Sequence, residues 1–243
     1  MTTPQRPDGR ALNALRDIQI TTGVNPHAEG SCEITYGQTK VLCTASLTPG
    51  VPRWLKGQGK GWMTAEYGML PRATGTRKDR EAVKGKQEGR TVEIQRLIGR
   101  SLRAVCDLSA LDGYTLYLDC DVLVADGGTR TASITGAYIA AAIAIKRLQA
   151  AGSLKRSPFS QPIAAVSCGV TPAGVVLDMD YAEDSTTHAD GNFVATADGH
   201  WIEMQITAEQ RPITNEEHVE MLRLAQLGIA ELIQLQMAIV DQA

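Results

Sequence analysis

Alternating apolar and polar positions predict antiparallel strands near the amino terminus. Residues 18–20, 31–36 and 40–46 alternate with a period of two, and a short turn at 37–39 joins the last two segments. Residues 114–124 are long and apolar enough to predict a central strand of a sheet.

Three helices are predicted from apolar residues that recur at helical spacing. The first covers about 90–107, the second 133–151, and the third follows Thr214, which forms a capping box with Glu217. In the first helix the apolar stripe and the arginines fall on different faces, as expected of a helix that lies on a sheet.

The second part of the chain repeats the strand-and-helix pattern. A hairpin at 163–170 and 174–179 is similar to the one at 31–46, and a strand at 200–206 precedes the last helix. Strand pairs that alternate with single helices indicate an α+β (mixed α/β) fold, in two related halves. Because no linker divides the chain, residues 1–243 are expected to form a single domain.

Two segments between these elements are predicted to be loops. The first follows residue 46, is rich in Gly and Lys, and contains Trp54 and Trp62. The second, 74–89, has no apolar periodicity and is expected to be mobile or to be ordered by a partner.

Composition indicates a soluble, reduced, cytoplasmic protein. The 243 residues are 43% hydrophobic and 21% charged, which is ordinary for a globular domain. No apolar run approaches the roughly 18 residues of a membrane span, and the terminus MTTPQRPDGR lacks the apolar core of a signal peptide. The five cysteines are widely spaced without a CxxC pair, so neither a disulfide framework nor a zinc site is expected.

The distribution of charge indicates a polyanionic partner, although the net charge is −3. Residues 53–103 contain thirteen Lys or Arg against five Asp or Glu, a local net charge of +8, which leaves −11 for the rest of the chain. A basic segment on an acidic body suits a protein that binds nucleic acid at one surface. A solvated charged face without a partner accounts for the same pattern.

The turn DGGTRT at 126–131, between the central strand and the second helix, has the features of an anion site. Two consecutive glycines let backbone N–H groups approach a ligand, and the helix start adds unsatisfied donors. Thr129 offers a hydroxyl and Arg130 a forked cation suited to phosphate oxygens. A tight strand-to-helix turn with a capping Thr is the alternative.

Arg90 opens the first predicted helix, where the helix dipole disfavours a cation unless an anion compensates it. Surface arginines at helix starts are common, so Arg90 alone is a weak signal. Combined with the glycine turn, it predicts a phosphate cradle built from two helix ends.

An acidic cluster follows a predicted strand and contains Asp178, Asp180, Glu183, Asp184 and Asp190. Two of these carboxylates held close could bind Mg²⁺, which prefers oxygen ligands, or one could protonate a leaving oxygen. An acidic loop with Asx-type turns is the alternative. Asp119 and Asp121, on one face of the central strand, could support this site.

The chain resembles the RNase PH family over nearly its whole length, because segments typical of that family occur in the same order. The matching segments are RPDGR at 6–10, EGS at 29–31, GQTKV at 37–41, LKGQGKGW at 55–62, TAEYGMLPRAT at 64–74, KGK at 84–86, GRT at 89–91, EIQRLIGRSLR at 93–103, LDCDVL at 118–123, ADGGTRT at 125–131 and EDS at 183–185.

This resemblance implies the RNase PH-like fold, with two βαβα-type halves similar to domain 2 of ribosomal protein S5. It implies a homohexamer, a trimer of dimers, that trims the 3′ ends of tRNA precursors and other RNAs. Inorganic phosphate is the expected co-substrate, nucleoside diphosphates are the products, and the reaction can run in reverse. The expected metal is Mg²⁺ or Mn²⁺.

The resemblance also implies residue roles. The expected phosphate binders are Arg90, Gly128, Thr129 and Arg130. The paired acids that bind metal or act as the acid are expected to be Asp184 and Asp190, which form the catalytic set with Arg90 and Arg130. RNA contacts are expected from Arg72, Arg77 and Arg80, with Arg96 and Arg100 on the same basic surface.

The chain departs from the family pattern at four positions. Gly75 replaces a His, Gly191 replaces a Met, and two expected glycines are replaced by Ile206 and Gln210. None of the four is a proposed catalytic residue. Ile206 and Gln210 could reshape the pocket for the RNA end or a subunit contact.

Three other functions use the same features. A ring subunit of an archaeal-type exosome shares the fold, although the retained phosphate and acid residues argue against an inactive one. A non-enzymatic RNA-binding protein would bind RNA in a salt-sensitive way without phosphate-dependent turnover. A small-molecule phosphorylase would use the anion cradle but would not need the long basic segment.

Overall fold

Residues 5–243 are described by a computed structural model, and they fold into two β-sheets and five α-helices. The first four residues of the terminus examined for a signal peptide lie outside this part. The strands are β1 (Ile18–Thr22), β2 (Gly30–Tyr36), β3 (Thr39–Pro49), β4 (Trp62–Met69), β5 (Tyr114–Val124), β6 (Ile163–Thr171), β7 (Gly174–Leu177), β8 (Ala189–Thr196) and β9 (Trp201–Ala208). The helices are α1 (Glu81–Lys84), α2 (Gly89–Arg103), α3 (Thr129–Ala150), α4 (Tyr181–Asp184) and α5 (Asn215–Gln242).

The two sheets divide the chain into two halves, which confirms the predicted mixed α/β fold. The first sheet has the strand order β1-β2-β3-β5-β4 and is antiparallel except for the parallel pair of β4 and β5. The second sheet is antiparallel throughout and has the order β7-β6-β8-β9. Helix α2 packs on β4, and α5 packs on β6, β7 and β8.

Helix α3 lies between the two sheets and forms the centre of the hydrophobic core. It contacts β2 and β3 of the first sheet and β6 of the second, and every residue from 131 to 141 is buried. A helix buried on all sides has no polar face, which explains its Ala- and Ile-rich sequence. Glycine permits its close approach to β2, because a Cβ added at Gly30 would lie 2.0 Å from the carbonyl oxygen of Ala140.

Two strands of the structure differ from the sequence prediction. β4 occupies part of the predicted Gly- and Lys-rich loop and begins at Trp62, one of the two tryptophans assigned to that loop. β8 begins inside the predicted acidic loop and includes Asp190. Both strands are held by neighbouring strands of their sheets, a tertiary constraint that local alternation does not reveal.

Two helix ends also differ from the prediction. α3 begins at Thr129 rather than Ser133, because Gly128, with φ of +68°, serves as its N-cap. α2 ends at Arg103 rather than Asp107, whose carboxylate accepts a hydrogen bond from the N–H of Ser109 at 2.9 Å and caps a 3₁₀ turn. The segment 74–89 is largely exposed and contains α1; its ordering by a partner stays a prediction.

Helix α5 is, among residues 5–243, the one helix long and apolar enough to cross a bilayer. One face of it is buried in the second half and includes Met221, Leu224 and Ile229. The predicted capping box is confirmed, since Thr214 and Glu217 exchange side-chain-to-backbone hydrogen bonds of 3.2 and 2.9 Å. The five cysteines are free thiols, as predicted.

Candidate active site

The glycine turn is shaped by two residues in the left-handed region of backbone space. Gly127 has φ of +75° and Gly128 has φ of +68°, conformations that cost an L-residue with a Cβ. A Cβ on Gly127 would also lie 2.7 Å from the carbonyl oxygen of Met179. The turn of the first half therefore lies directly against the acidic segment of the second half.

Arg130 reaches from the first turn of α3 into a cavity between the two halves. Its side chain is 14% exposed, and its Nη1 donates to Glu93 Oε1 at 3.3 Å and to Gln205 Oε1 at 3.1 Å. Glu93 and Gln205 both accept from Nη1, and a guanidinium has five N–H donors in all, so the other N–H groups of Arg130 can bind an anion.

Thr129 and Gly128 do not line this cavity. The Thr129 hydroxyl is buried and lies 2.9 Å from the hydroxyl of Tyr67, and Thr131, rather than Thr129, bonds back to the carbonyl oxygen of Gly128 at 2.9 Å. The capping-Thr alternative is therefore wrong for Thr129. The predicted phosphate-binding roles of Gly128 and Thr129 stay predictions that depend on backbone N–H groups.

Arg90 is the second residue of α2, and the first turn of that helix contains no acidic residue. Its side chain is exposed and lines the same cavity as Arg130. No carboxylate of residues 5–243 forms an ion pair with it. The structure thus brings together two arginines, each within the first turn of a helix, as the sequence predicted.

The acidic cluster separates into two groups. Asp184, at the end of α4, and Asp190, in β8, line the same cavity as the two arginines. Asp178 and Glu183 are buried and paired with arginines of the amino-terminal segment, and Asp180 caps α4. Two of the five carboxylates are therefore available to a ligand.

The cavity carboxylates have perturbed acidities. Partial removal from water raises the pKa of Asp184, and Glu209 adds to this, while Arg90 and Arg130 oppose it. The pKa of Asp190 is raised by the same desolvation and by the nearby charges of Asp184 and Glu209. These carboxylates are therefore poised to gain a cation or a proton.

The cavity has a volume of about 470 Å³ and is lined by polar side chains from both halves. Sequence reasoning missed the contribution of β9 and the residues after it. The missed lining residues are Ser185, Thr187, Asn192, Gln205, Thr207 and Glu209. The spacing of Gln205, Thr207 and Glu209 by two residues, typical of one strand face, was the available signal.

A second and larger cavity of about 700 Å³ adjoins the first at Arg90 and lies under the segment 78–91. Its floor carries Asp119 and Asp121 of β5 beside Glu66 of β4. Desolvation and the charges of Glu66 and Asp121 raise the pKa of Asp119. The suggestion that Asp119 and Asp121 support the Asp184 site is wrong, because they line this neighbouring cavity instead.

The five arginines predicted to bind RNA are all exposed. Arg80 lines the larger cavity, Arg77 pairs with Asp79 at 2.8 Å, and Arg100 pairs with Glu203 of β9 at 2.5 Å. Arg72 and Arg96 complete the set on the outer surface of the first half. Their contact with RNA stays a prediction.

Two departures from the family pattern are paired in the second sheet. Gly191 of β8 lies directly opposite Ile206 of β9 in the strand register. A Cβ on Gly191 would lie 2.7 Å from the ring of Phe193 and 2.9 Å from Met221, so the packing around β8 requires a small residue at this position. Gln210 lines the cavity, whereas Gly75 is exposed and a Cβ added to it would contact no other atom.

Family models match most of the chain in two consecutive parts. The model described as "3′ exoribonuclease family, domain 1" matches residues 14–146, and "3′ exoribonuclease family, domain 2" matches residues 161–228. The boundary falls between α3 and β6, so the two models correspond to the two halves and the cavity lies between them.

Solved structures with the same fold include rice (Oryza sativa) Rrp46, with a TM-score of 0.78, 19% identity, and coverage of 97% of this chain and 100% of that one. An archaeal exosome core has a TM-score of 0.75 and 20% identity, with coverage of 96% of this chain and 91% of that one. An Archaeoglobus fulgidus exosome with RNA bound to its active site has a TM-score of 0.77 and 22% identity, with coverage of 94% of this chain and 91% of that one. At these identities the similarity shows the fold, and the two domain models show the family: the chain belongs to the 3′ exoribonuclease family, that is, to the RNase PH family of phosphorolytic-type enzymes.

Proposed function

We propose that this protein is a phosphate-dependent 3′→5′ exoribonuclease that trims tRNA precursors and other RNAs and releases nucleoside diphosphates. The observation that carries the proposal is the shared cavity, to which the first half contributes Arg90 and Arg130 and the second half contributes Asp184 and Asp190. Phosphorolysis requires an attacking anion to approach an anionic phosphodiester. A cavity with cations on one wall and carboxylates on the other suits that requirement.

The arginine wall is the proposed site of inorganic phosphate. Arg90 and Arg130 provide forked donors, and the first turn of α3 adds backbone N–H groups with the positive end of the helix dipole. Glu93 and Gln205 hold Arg130 in one orientation. Phosphate bound there is placed for attack on the terminal phosphodiester, and the arginines offset the repulsion between the two anions.

The carboxylate wall fits Mg²⁺ or Mn²⁺ held by Asp184 and Asp190. Carboxylate oxygens are the donors these cations prefer, and desolvation raises the pKa of both carboxyls even though nearby arginines oppose the shift. No group of three or more acidic, His or Cys side chains among residues 5–243 is arranged to hold a metal, so a bound cation would keep waters and contact substrate oxygens. When bound, it would neutralise charge on the leaving oxygen.

Asp184 is the proposed source of a proton if the leaving oxygen is protonated directly. Desolvation raises its pKa, which favours the protonated form needed by a general acid. The cation and acid roles both place Asp184 beside the leaving oxygen, opposite the attacking phosphate.

The RNA is proposed to reach the cavity across the basic surface of the first half. Arg72, Arg77, Arg80, Arg96 and Arg100 lie on this surface and are exposed. Exposed arginines attract a phosphodiester chain without reading its sequence. Assembly into a homohexamer and a cytoplasmic location complete the proposal.

The test is incubation of the pure protein with a 3′-extended tRNA and Mg²⁺, with and without inorganic phosphate, followed by identification of the mononucleotide released. Nucleoside diphosphates that appear only with phosphate are the expected result. Monophosphates released without phosphate would instead identify a hydrolase. Salt-dependent RNA binding without any product would identify an RNA-binding subunit that shares only the fold.

A further inference from the structure

Asp178 is a fully buried carboxylate in a strained backbone conformation. Among residues 5–243 it is the one non-glycine residue with φ in the left-handed region, at +53°. Its two oxygens accept three hydrogen bonds from Arg16, from Nη2 at 2.8 Å, from Nε at 3.1 Å and from the backbone N–H at 2.8 Å. Such strain persists only where the surroundings hold it in place.

Arg16 also donates hydrogen bonds to the glycine turn, which belongs to the first half, whereas Asp178 belongs to the second. Its Nη1 donates to the carbonyl oxygen of Asp126 at 2.6 Å, and its Nη2 also reaches that of Gly127 at 3.4 Å. Because a trans peptide is planar, fixing these carbonyls directs the N–H groups of Gly127 and Gly128 away from Arg16. One guanidinium therefore ties the anion-binding turn to the segment that leads to Asp184.

Thr39 supports the same turn from β3. Its hydroxyl donates to the carbonyl oxygen of Gly127 at 2.6 Å and accepts from the N–H of Asp126 at 2.8 Å. Thr39 is fully buried and uncharged, so its effect on the turn can be removed without disturbing an ion pair.

Arg6 holds the acidic segment itself. It forms a bidentate pair with buried Glu183, with both N–O distances at 2.7 Å, and donates to the carbonyl oxygens of Leu177 and Asp178 at 2.9 and 3.1 Å. Glu183 precedes Asp184 in α4. The carboxylate of the proposed metal site is thus anchored through its neighbour.

We propose that Arg16 and Arg6 are positioning residues, which hold the glycine turn, and with it Arg130 at the start of α3, at a fixed separation from Asp184. Arg16 aligns the phosphate side through Asp178 and the turn carbonyls. Arg6 aligns the metal side through Glu183. This inference rests on the proposed phosphorolytic function, to which it adds residues that contact neither substrate nor metal.

A buried ion pair that only stabilises the fold predicts a different kinetic pattern. Loss of folded protein lowers the apparent kcat and leaves KM unchanged, because the remaining folded molecules are normal. A displaced phosphate site raises KM for phosphate in fully folded protein, since misplacement by about 1 Å can cost on the order of a hundredfold in rate. The split between KM and kcat therefore separates the two roles.

The experiment compares Arg16→Lys, Thr39→Val and Thr39→Ser with the wild type in phosphorolysis of a 3′-extended RNA. Thr39→Val keeps the shape and removes both hydrogen bonds, and we expect KM for phosphate to rise about tenfold. Thr39→Ser keeps the hydroxyl and should stay within about twofold. Arg16→Lys should have the larger effect; if it does not fold, the Thr39 pair decides the question.

A second arm uses Glu183→Gln to address the metal side. We expect the affinity for Mn²⁺, measured by equilibrium titration without RNA or phosphate, to fall about tenfold, with KM for phosphate changed less than about twofold. An unchanged Mn²⁺ affinity in folded Glu183→Gln would overturn the positioning role of Arg6 and Glu183. The matched control is Gln236→Leu, which removes a buried hydrogen bond to the carbonyl oxygen of Ile163 at 2.8 Å. Ile163 is six residues along β6 from Gly169, the partner of Asp190, or roughly 20 Å away. The control should lower Tm and leave both constants unchanged.

Equilibrium titration with inorganic phosphate distinguishes failure of this inference from failure of the proposed function. A wild type that releases no nucleoside diphosphate overturns the function, and the titration then tests positioning by itself. Weaker phosphate binding by folded Thr39→Val than by Thr39→Ser supports the inference. Unchanged KM and unchanged phosphate binding in folded Arg16→Lys and Thr39→Val would overturn it.

Discussion

The two walls of the cavity are built and stabilised in opposite ways. Arg90 and Arg130 come from the first turns of two helices of the first half, and Arg130 has polar partners. Asp184 and Asp190 come from a short helix and a strand of the second half, and the pKa of each is raised, chiefly by desolvation. The arginine wall has donors that can bind an anion without further change. On the carboxylate wall, the ionised form of the two carboxyls is unfavourable until a cation or a proton binds. The difference teaches that, within one cavity, the charged groups of the two halves have different energetics before any ligand binds.

The largest expected effect is the loss of the carboxylate wall. Asp184→Ala should reduce turnover by about a thousandfold or more, because it removes the group beside the leaving oxygen. The fold should survive, since Asp184 is exposed and Glu183 carries the buried contacts. Phosphorolysis rates and circular dichroism measure the two effects. Asp198→Ala, at an exposed turn between β8 and β9, is the control. Wild-type rates in Asp184→Ala would move the metal or acid role elsewhere.

Loss of one cation from the arginine wall should have a smaller and more selective effect. Arg90→Ala should raise KM for phosphate about ten- to a hundredfold, the range for loss of a charge-assisted hydrogen bond. RNA affinity, measured at fixed salt, should change less than about threefold. Arg156→Ala, an exposed arginine of the loop before β6, serves as the control. An unchanged phosphate dependence would remove Arg90 from the proposed site.

The strand that carries Asp190 can be tested through the pair of Gly191 and Ile206 beside it. Gly191→Met should destabilise the protein by about 1–3 kcal/mol, because the new side chain meets Phe193 and Met221. The double variant with Ile206→Gly should recover part of that loss, since the two positions face each other in register. Denaturant unfolding of the wild type, both single variants and the double variant gives the coupling free energy between positions 191 and 206. Strict additivity would show that the two positions are not coupled.

The smallest expected effect is on stability as a function of pH. The raised pKa of Asp190 means that its ionised form destabilises the folded state. The contribution of Asp190 to the free energy of unfolding is therefore most favourable when the carboxyl is protonated. It is complete below the pKa of the unfolded state and is lost as the pH rises through the pKa of the folded state. Asp190→Asn should therefore be more stable than the wild type at pH 7, by about 0.5 kcal/mol, the usual scale for accessible positions.

That advantage of Asp190→Asn should disappear as the pH falls towards 4 and the wild-type carboxyl becomes protonated. Thermal unfolding of both proteins in metal-free buffer from pH 7 to pH 4 measures it. A constant difference across this range would mean that the Asp190 carboxyl does not cause it.

The sequence predicted the parts of the fold that depend on local patterns. The alternation in β2 and β3, the length and apolar character of β5 and the capping box of α5 depend on neighbouring residues, and each predicted element was found. It also placed Arg90, Arg130, Asp184 and Asp190 in one site, through the helix-start argument and the family resemblance.

The remaining features depend on contacts that no local pattern contains. β8 contains Asp190, Gly191 and Asn192, a combination typical of turns, and is a strand because β6 and β9 flank it. The division of the acidic cluster into cavity and buried members depends on Arg6 and Arg16, more than 150 residues away in the chain. The contact of the Thr129 hydroxyl could not be predicted, because its partner, the hydroxyl of Tyr67, belongs to the unpredicted strand β4.

The burial of α3 between the sheets has a consequence for cooperativity. Because the same helix supplies core residues to both halves, neither half can open without exposing the apolar surface of the other. The amide hydrogens of α3 should then exchange with solvent only when the whole chain unfolds. Its first turn, which carries Arg130, is thereby protected from local opening, so the position of this arginine is as stable as the fold itself.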